Sequence, residues 1–154
     1  MFIADANLGK LVKWLRILGY DTTCYTGNAD RDFLRKAQQE ERIVLTKKRD
    51  MTRREFSGRL IVIQDDHVRR QIREVTDKLS LNPRPERLFS ICLKCNEKLE
   101  KVSKEEIEGM IPAYIFESCS QFQQCRRCRC IFWSGTHRDN VYNFLKTHIQ
   151  YHPL

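Results

Sequence analysis

The sequence predicts an α/β fold, a parallel sheet flanked by helices, followed by a small module held by cysteines. Three features carry that expectation. Short β-like runs alternate with helical patterns from Met1 to Leu81; the prolines of "NPRPERLF" interrupt the alternation; and two C-x-x-C pairs lie beyond the interruption.

The elements follow in order. "FIA" reads as a strand ending at Asp5. Leu8, Leu11, Val12, Leu15 and Leu18 then recur at helical spacing, with Gly19 as a stop and Lys10, Lys13 and Arg16 on the other face. "YDTTCYT" reads as a second strand and "DRDFLRKAQQEE" as a helix with acids at its start. "RIVLT" is a third strand, "DMTRREF" a short helix, "RLIVIQ" a fourth strand and "DHVRRQIREVTDKLSL" a longer helix. Strands alternating with helices argue for a parallel sheet covered on both faces, and such sheets bind ligands beyond the carboxyl ends of their strands. Residues 1–81 therefore form a first domain. Residues 82–88 form a linker, because proline fits neither a helix interior nor a central strand. Residues 89–154 form the second module, with an insert from Val102 to Phe122, a helix expected at "SKEEIEGM", and a closing amphipathic tail, "DNVYNFLKTHIQYHPL".

Composition narrows the function classes. The chain is 154 residues long and 41% hydrophobic, enough for one good core, or a core plus a small module. Its apolar runs, such as Leu60 to Ile63, are far shorter than the ~20 residues of a membrane helix, so no span is expected. The start carries Asp5 in its first apolar run and no basic leader, which points to the cytoplasm. A net charge of +8 suits a polyanionic partner: RNA, DNA or acidic lipid. Seven cysteines, four of them in C-x-x-C pairs, read in a reducing compartment as metal binding before disulfides.

Acids recur at the strand ends. Asp5 follows the first strand, Asp30 and Asp32 the second, Asp50 the third, with Thr46 at its end, and Asp65 and Asp66 the fourth. On one parallel sheet they share an edge. Two carboxylates ~4 Å apart repel by roughly 4 kcal/mol at an effective dielectric near 20, so a cation is expected among them. Mg²⁺ or Mn²⁺ suits oxygen ligands and bridges phosphate oxygens, which makes the edge a candidate phosphodiester site. Lys10, Lys13, Arg16, Lys47, Lys48, Arg49, Arg53 and Arg54 would then hold the polyanion backbone. Each acid also has a plainer reading: Asp5, Asp32 and Asp50 can cap helices, and Asp65 or Asp66 can simply be solvated.

"FIADANLGKLVKWLRILGYDT", "RIVLTKKRDM", "EEIEGMIPAYIFE" and the paired cysteines resemble the Mut7-C ribonuclease family, a PIN-like nuclease domain followed by a zinc ribbon, over nearly the whole chain. The resemblance implies RNA cleavage with Mg²⁺ or Mn²⁺ held by Asp5, Asp30 and Asp50, with Thr46 as an orienting hydroxyl and Asp32 and Asp65 as weaker carry-overs. The chain departs from the family in one place. Where the family often reads T-R-D-R-D, Thr46 is followed here by Lys47, Lys48, Arg49 and Asp50. Lys48 either compensates charge on the substrate side or marks weaker metal binding and little activity.

Cys92, Cys95, Cys125 and Cys128 form two knuckles suited to tetrahedral zinc, although their separation exceeds the usual ~15–20 residues. The insert must therefore loop out. Asn96 and Arg129, each directly after a knuckle, fall where a left-handed backbone is often required. Cys130 reads as packed or spare, and Cys24 and Cys119 as packing residues. Arg126, Arg127, Arg129, Phe132 and Trp133 lie close together and suit stacking on single-stranded RNA, although Phe132 or Trp133 can equally cover the zinc site as a miniature core. His148 and His152 have a metal-binding spacing but sit in a tail better read as solvated.

The leading expectation is a ribonuclease with a structural zinc, a catalytic divalent ion and a ribbon that grips RNA. The alternatives are an RNA-binding module that lost its chemistry and a phosphatase of the haloacid dehalogenase type, which this chain is too short to combine with a ribbon. A protein partner or a homodimer stays open.

Overall fold

The computed structural model describes residues 1–149, apart from the side chains of Thr136 and His137. Four short strands, β1 (Phe2–Asp5), β2 (Thr22–Tyr25), β3 (Ile43–Thr46) and β4 (Leu60–Val62), form one sheet in the order β2-β1-β3-β4. Every pairing is parallel. β1 is internal and all four of its residues are buried, as expected of a strand covered on both faces.

The alternation of side chains sorts the core into two layers. Ile3 and Val44, aligned across β1 and β3, pack with Phe33, Leu34 and Ala37 of α2 (Arg31–Gln39) and with Met51. Phe2, Ala4 and Leu45 face the opposite way, onto Leu11 and Leu15 of α1 (Gly9–Ile17) and Ile72 and Val75 of α3 (Val68–Leu79). The segment expected as a short helix, "DMTRREF", forms only a 3₁₀ turn over Arg49–Arg53.

The second sheet is antiparallel, β5 (Leu99–Val102), β6 (Phe122–Cys125) and β7 (Ile131–Trp133) in that order. Its insert differs from expectation. "SKEEIEGM" yields one 3₁₀ turn over Glu105–Ile107, anchored by buried Ile107 and followed by Gly109 at φ 73°. The helix, α4 (Ala113–Ser118), starts instead after Pro112, whose fixed φ favours a helix beginning there. Asn96 and Arg129 adopt φ 65° and 60°, the left-handed geometry expected after each knuckle.

α5 (Thr136–His148) does not remain a solvated tail. Val141, Phe144 and Leu145 enter the core that α1 and α3 line, and Phe144 meets Trp14 edge to face at 5.0 Å. His148 stacks on Phe144, and His152 lies outside the described residues. Gly19, at φ 81°, ends the turn after α1 where the backbone of Arg87 approaches so closely that a Cβ would collide with it.

Arg16 joins the two parts. Expected on the outer face, it is 6% exposed. Its Nε and Nη2 donate to the Thr22 carbonyl at 3.0 and 2.8 Å, and its Nη1 to the carbonyls of Leu93 and Lys94 at 2.7 and 3.2 Å, inside the first cysteine knuckle. Asn96 completes the joint: its side-chain oxygen accepts from Thr22 N at 2.9 Å, and its amide donates to Asp21, which Arg42 also holds. Arg16→Ala would leave the buried Thr22 carbonyl and the partly buried carbonyls of Leu93 and Lys94 short of a donor, so a loss of about 3 kcal/mol in urea unfolding is expected, with little rescue by Arg16→Lys. Unchanged stability of Arg16→Ala would contradict this role.

Candidate active site and metal centre

Asp5 ends the central strand and is 2% exposed. Burying a carboxylate is costly unless donors meet it. Three do: Asn7 N donates to Oδ1 at 2.9 Å, and Thr46 Oγ1 and Lys47 N donate to Oδ2 at 2.6 and 2.8 Å. Thr46 is itself fully buried and accepts from Lys48 N at 3.0 Å, so the end of β3 and the end of β1 are fixed against each other. A carboxylate has about four acceptor positions, which leaves one open on Oδ1.

The other acids lie in looser settings. Asp30 precedes α2 and accepts from Asp32 N at 3.0 Å, as a helix cap does. Asp32 is exposed and pairs with Arg35 at 3.2 Å. Asp50 is exposed in the 3₁₀ turn, 3.7 Å from Arg54. Asp65 accepts from His67 N at 2.8 Å and pairs with Arg70 at 3.2 Å, while Asp66 pairs with Lys47. That ion pair holds the Asp66 carboxyl below its usual range. Among the described residues, the only group of three or more potential ligand atoms within 4.8 Å of one another is a set of cysteines, so the acids do not form a closed cage. Mg²⁺ needs no such cage, since it is commonly held by one or two carboxylates, waters and substrate phosphates. The open position on Asp5 Oδ1 fits that demand.

The cations divide by role. Lys10 and Lys13 are exposed on α1. Lys47 ties its ammonium to the Gln64 and Asp65 carbonyls and to Asp66, and Arg49 reaches Gln64. Lys48 donates to the Ala29 carbonyl at 3.2 Å, which places a positive charge next to Asp30. Arg16 is the exception, enclosed as described and withdrawn from any surface a polyanion could meet. On the second sheet, Arg126 pairs with Glu100 and Arg127 lies 3.7 Å from Glu97, while Trp133 is 38% exposed. Sequence reasoning missed Glu74 of α3, whose carboxylate accepts from the amides of Gln64 and Asp65 and so shapes the loop after β4. Its helical position, nine residues beyond Asp65, carries no signal of that contact.

The Sγ atoms of Cys92, Cys95, Cys125 and Cys128 all lie within 4.8 Å of one another, with Cys92 and Cys128 at 3.6 Å. Zn–S bonds of about 2.3 Å in a tetrahedron require sulfurs somewhat under 4 Å apart, so the set can hold a zinc ion. Cys130 stands outside it: its carbonyl accepts from Cys125 N, and its thiol meets the Lys94 ammonium, which raises the Lys94 pKa. Crowding raises the cost of ionising the thiols together: the hydrogen bond with Cys128, with desolvation and the nearby sulfurs, pushes the Cys95 thiol up to about 12.

The model of the Mut7-C RNAse domain matches residues 1–145. The chain belongs to the Mut7-C RNAse domain family. No curated protein and no solved structure matches it. The match spans both sheets and most of α5, and it supports a nuclease-type enzyme with RNA as its substrate class.

A metal entering the cysteine set must displace the proton that Cys95 holds at neutral pH. Zinc titration of the metal-free protein is therefore expected to release protons and to weaken steeply on acidification. An affinity independent of pH between about 6 and 8 would contradict ligation by four thiolates.

Proposed function

We propose that this chain is a metal-dependent ribonuclease that hydrolyses RNA phosphodiester bonds, with single-stranded RNA as substrate, a catalytic Mg²⁺ or Mn²⁺ at Asp5, Asp30 and Asp50, and a structural zinc in the cysteine set. The observation that carries the reading is the buried Asp5 carboxylate, three of whose acceptor positions are filled from within while one, on Oδ1, is left open. Such a group is preorganised: Thr46 and the Lys47 amide fix it, so binding a cation requires no rotation of the side chain. When bound, the metal would acidify a water and neutralise charge on the phosphoryl group. Asp30 supplies a second oxygen from the loop before α2. Asp32, Asp50 and Asp65, more exposed and each paired with an arginine, suit waters of the metal shell better than direct bonds. Lys10, Lys13, Lys47 and Arg49 would meet the RNA backbone.

Cytoplasmic placement is part of the same proposal. Seven cysteines without a disulfide suit a reducing compartment, and no helix among the described residues is long and apolar enough to cross a membrane.

One observation favours a second reading, an RNA-binding module with weak catalysis: the Lys48 ammonium beside Asp30 competes with a divalent cation for the same field. Two variants separate the readings. Asp5→Asn is expected to lower Mn²⁺-dependent cleavage of labelled RNA about 100-fold, in line with loss of a metal-orienting group, with zinc content retained. Lys48→Asp is expected to reduce several-fold the Mn²⁺ concentration needed for half-maximal cleavage. Wild-type cleavage by Asp5→Asn would remove the site assignment, and wild-type protein that retains RNA without cutting it would favour the binding module.

A further inference from the structure

Between the two sheets lies a cleft of about 480 Å³ that the acidic edge does not include. Its floor is the face of the second sheet that carries Lys101, Gln123 and Phe132, and the neighbouring row of Val102, Phe122 and Trp133 also lines it. The register pairs Lys101 with Gln123 and Gln123 with Phe132, so a cation, an amide and an aromatic ring stand in one row across β5, β6 and β7, and all three line the cleft. The opposite wall is Leu88 and Phe89 of the linker with Arg138 of α5. Arg138 stacks 4.7 Å over the Phe89 ring, and its Nε is buried with no hydrogen-bond partner among the described residues. The side chains of Lys101 and Gln123 likewise have no partner among the described residues. A buried donor without an acceptor is costly, and its presence in a cleft calls for a ligand that brings one.

The ligand chemistry follows from the row. A ring offers stacking to any base, an amide offers both a donor and an acceptor to a base edge, and an ammonium offers charge to a phosphate. Charge continues beyond the cleft. Ile17, at the end of α1, lines it, and Lys10 and Lys13 lie seven and four residues earlier on the same helical face, which runs back to Gly9, four residues after Asp5. α1 spans about 13 Å. The exposed lysines thus connect the cleft to the acidic edge.

We propose that this cleft receives one nucleobase of single-stranded RNA, stacked on Phe132 and read by Gln123, while Lys101, Lys13 and Lys10 carry the backbone to Asp5. The ligand assignment rests on the ribonuclease reading. The base is held one helix length from the acids, so the bond cut lies several nucleotides from the base recognised.

The test measures binding of a short labelled single-stranded RNA to the full zinc-loaded chain in buffer without Mg²⁺ or Mn²⁺. Phe132→Ala and Lys101→Glu are each expected to weaken binding about tenfold, a typical stacking or phosphate contribution. A series of oligomers, each abasic at one position, should contain one that binds wild-type protein about tenfold more weakly yet loses nothing further with Phe132→Ala. Lys101 is exposed, so its variant remains informative if Phe132→Ala disturbs the zinc module. Unchanged affinity in both variants, or an abasic penalty equal in wild type and Phe132→Ala, overturns the proposal. So does wild-type protein that binds no RNA, as it would if the cleft held a peptide. If the cleft variants bind normally while wild type cleaves with Mn²⁺, the cleft assignment fails and the nuclease reading stands; cleft-dependent binding without cleavage has the reverse meaning.

Discussion

A carboxylate buried at the tip of the central strand constrains everything around it. Asp5 can remain there only because Asn7, Thr46 and Lys47 each direct a donor at it. Those donors come from the turn into α1 and from the end of β3, so satisfying one charge also fixes how β1 leaves the sheet and how β3 ends. Stability and candidate chemistry therefore share one set of hydrogen bonds, and Thr46, which both donates to Asp5 and accepts from Lys48 N, is their hinge.

A second constraint operates at the opposite edge of the sheet. Arg16 and Asn96 bind the first cysteine knuckle to the start of β2, and α5 returns to pack on α1. The second module is consequently part of the same energetic unit as the first sheet. Ordering the knuckle by zinc would also order the carbonyls that Arg16 needs, so metal in the cysteine set supports the nuclease sheet at a distance from its acids. The cleft with Phe132 lies along this seam, which explains how a module of three short strands presents an aromatic row in a fixed orientation.

Much of this was legible in the sequence. Alternation of period 2 and period 3.6 marked four strands and three helices, because burial on both faces of β1 and one face of α1 leaves an unmistakable apolar pattern. The cysteine spacing marked the metal set, and Asn96 and Arg129 marked left-handed turns. The limits were physical as well. Arg16 follows Lys10 and Lys13 at helical spacing and looks like one more surface cation; only the arrival of Leu93 and Lys94, far along the chain, encloses it. α5 looks like a solvated tail until Trp14 meets Phe144. Asp32 and Asp50 show the ambiguity of acids after strands: the residue type that caps a helix also binds a metal, and sequence alone carries no measure of which neighbours are near.

On the proposed reading Asp5 is a prearranged metal ligand rather than a structural cap. A crystal grown with Mn²⁺ and read by anomalous scattering tests it most directly. A manganese peak is expected within bonding distance of Asp5 Oδ1, with Asp30 in the same coordination shell directly or through water. Manganese bound only at other carboxylates, with Asp5 still enclosed by its three donors and no metal near it, would contradict it.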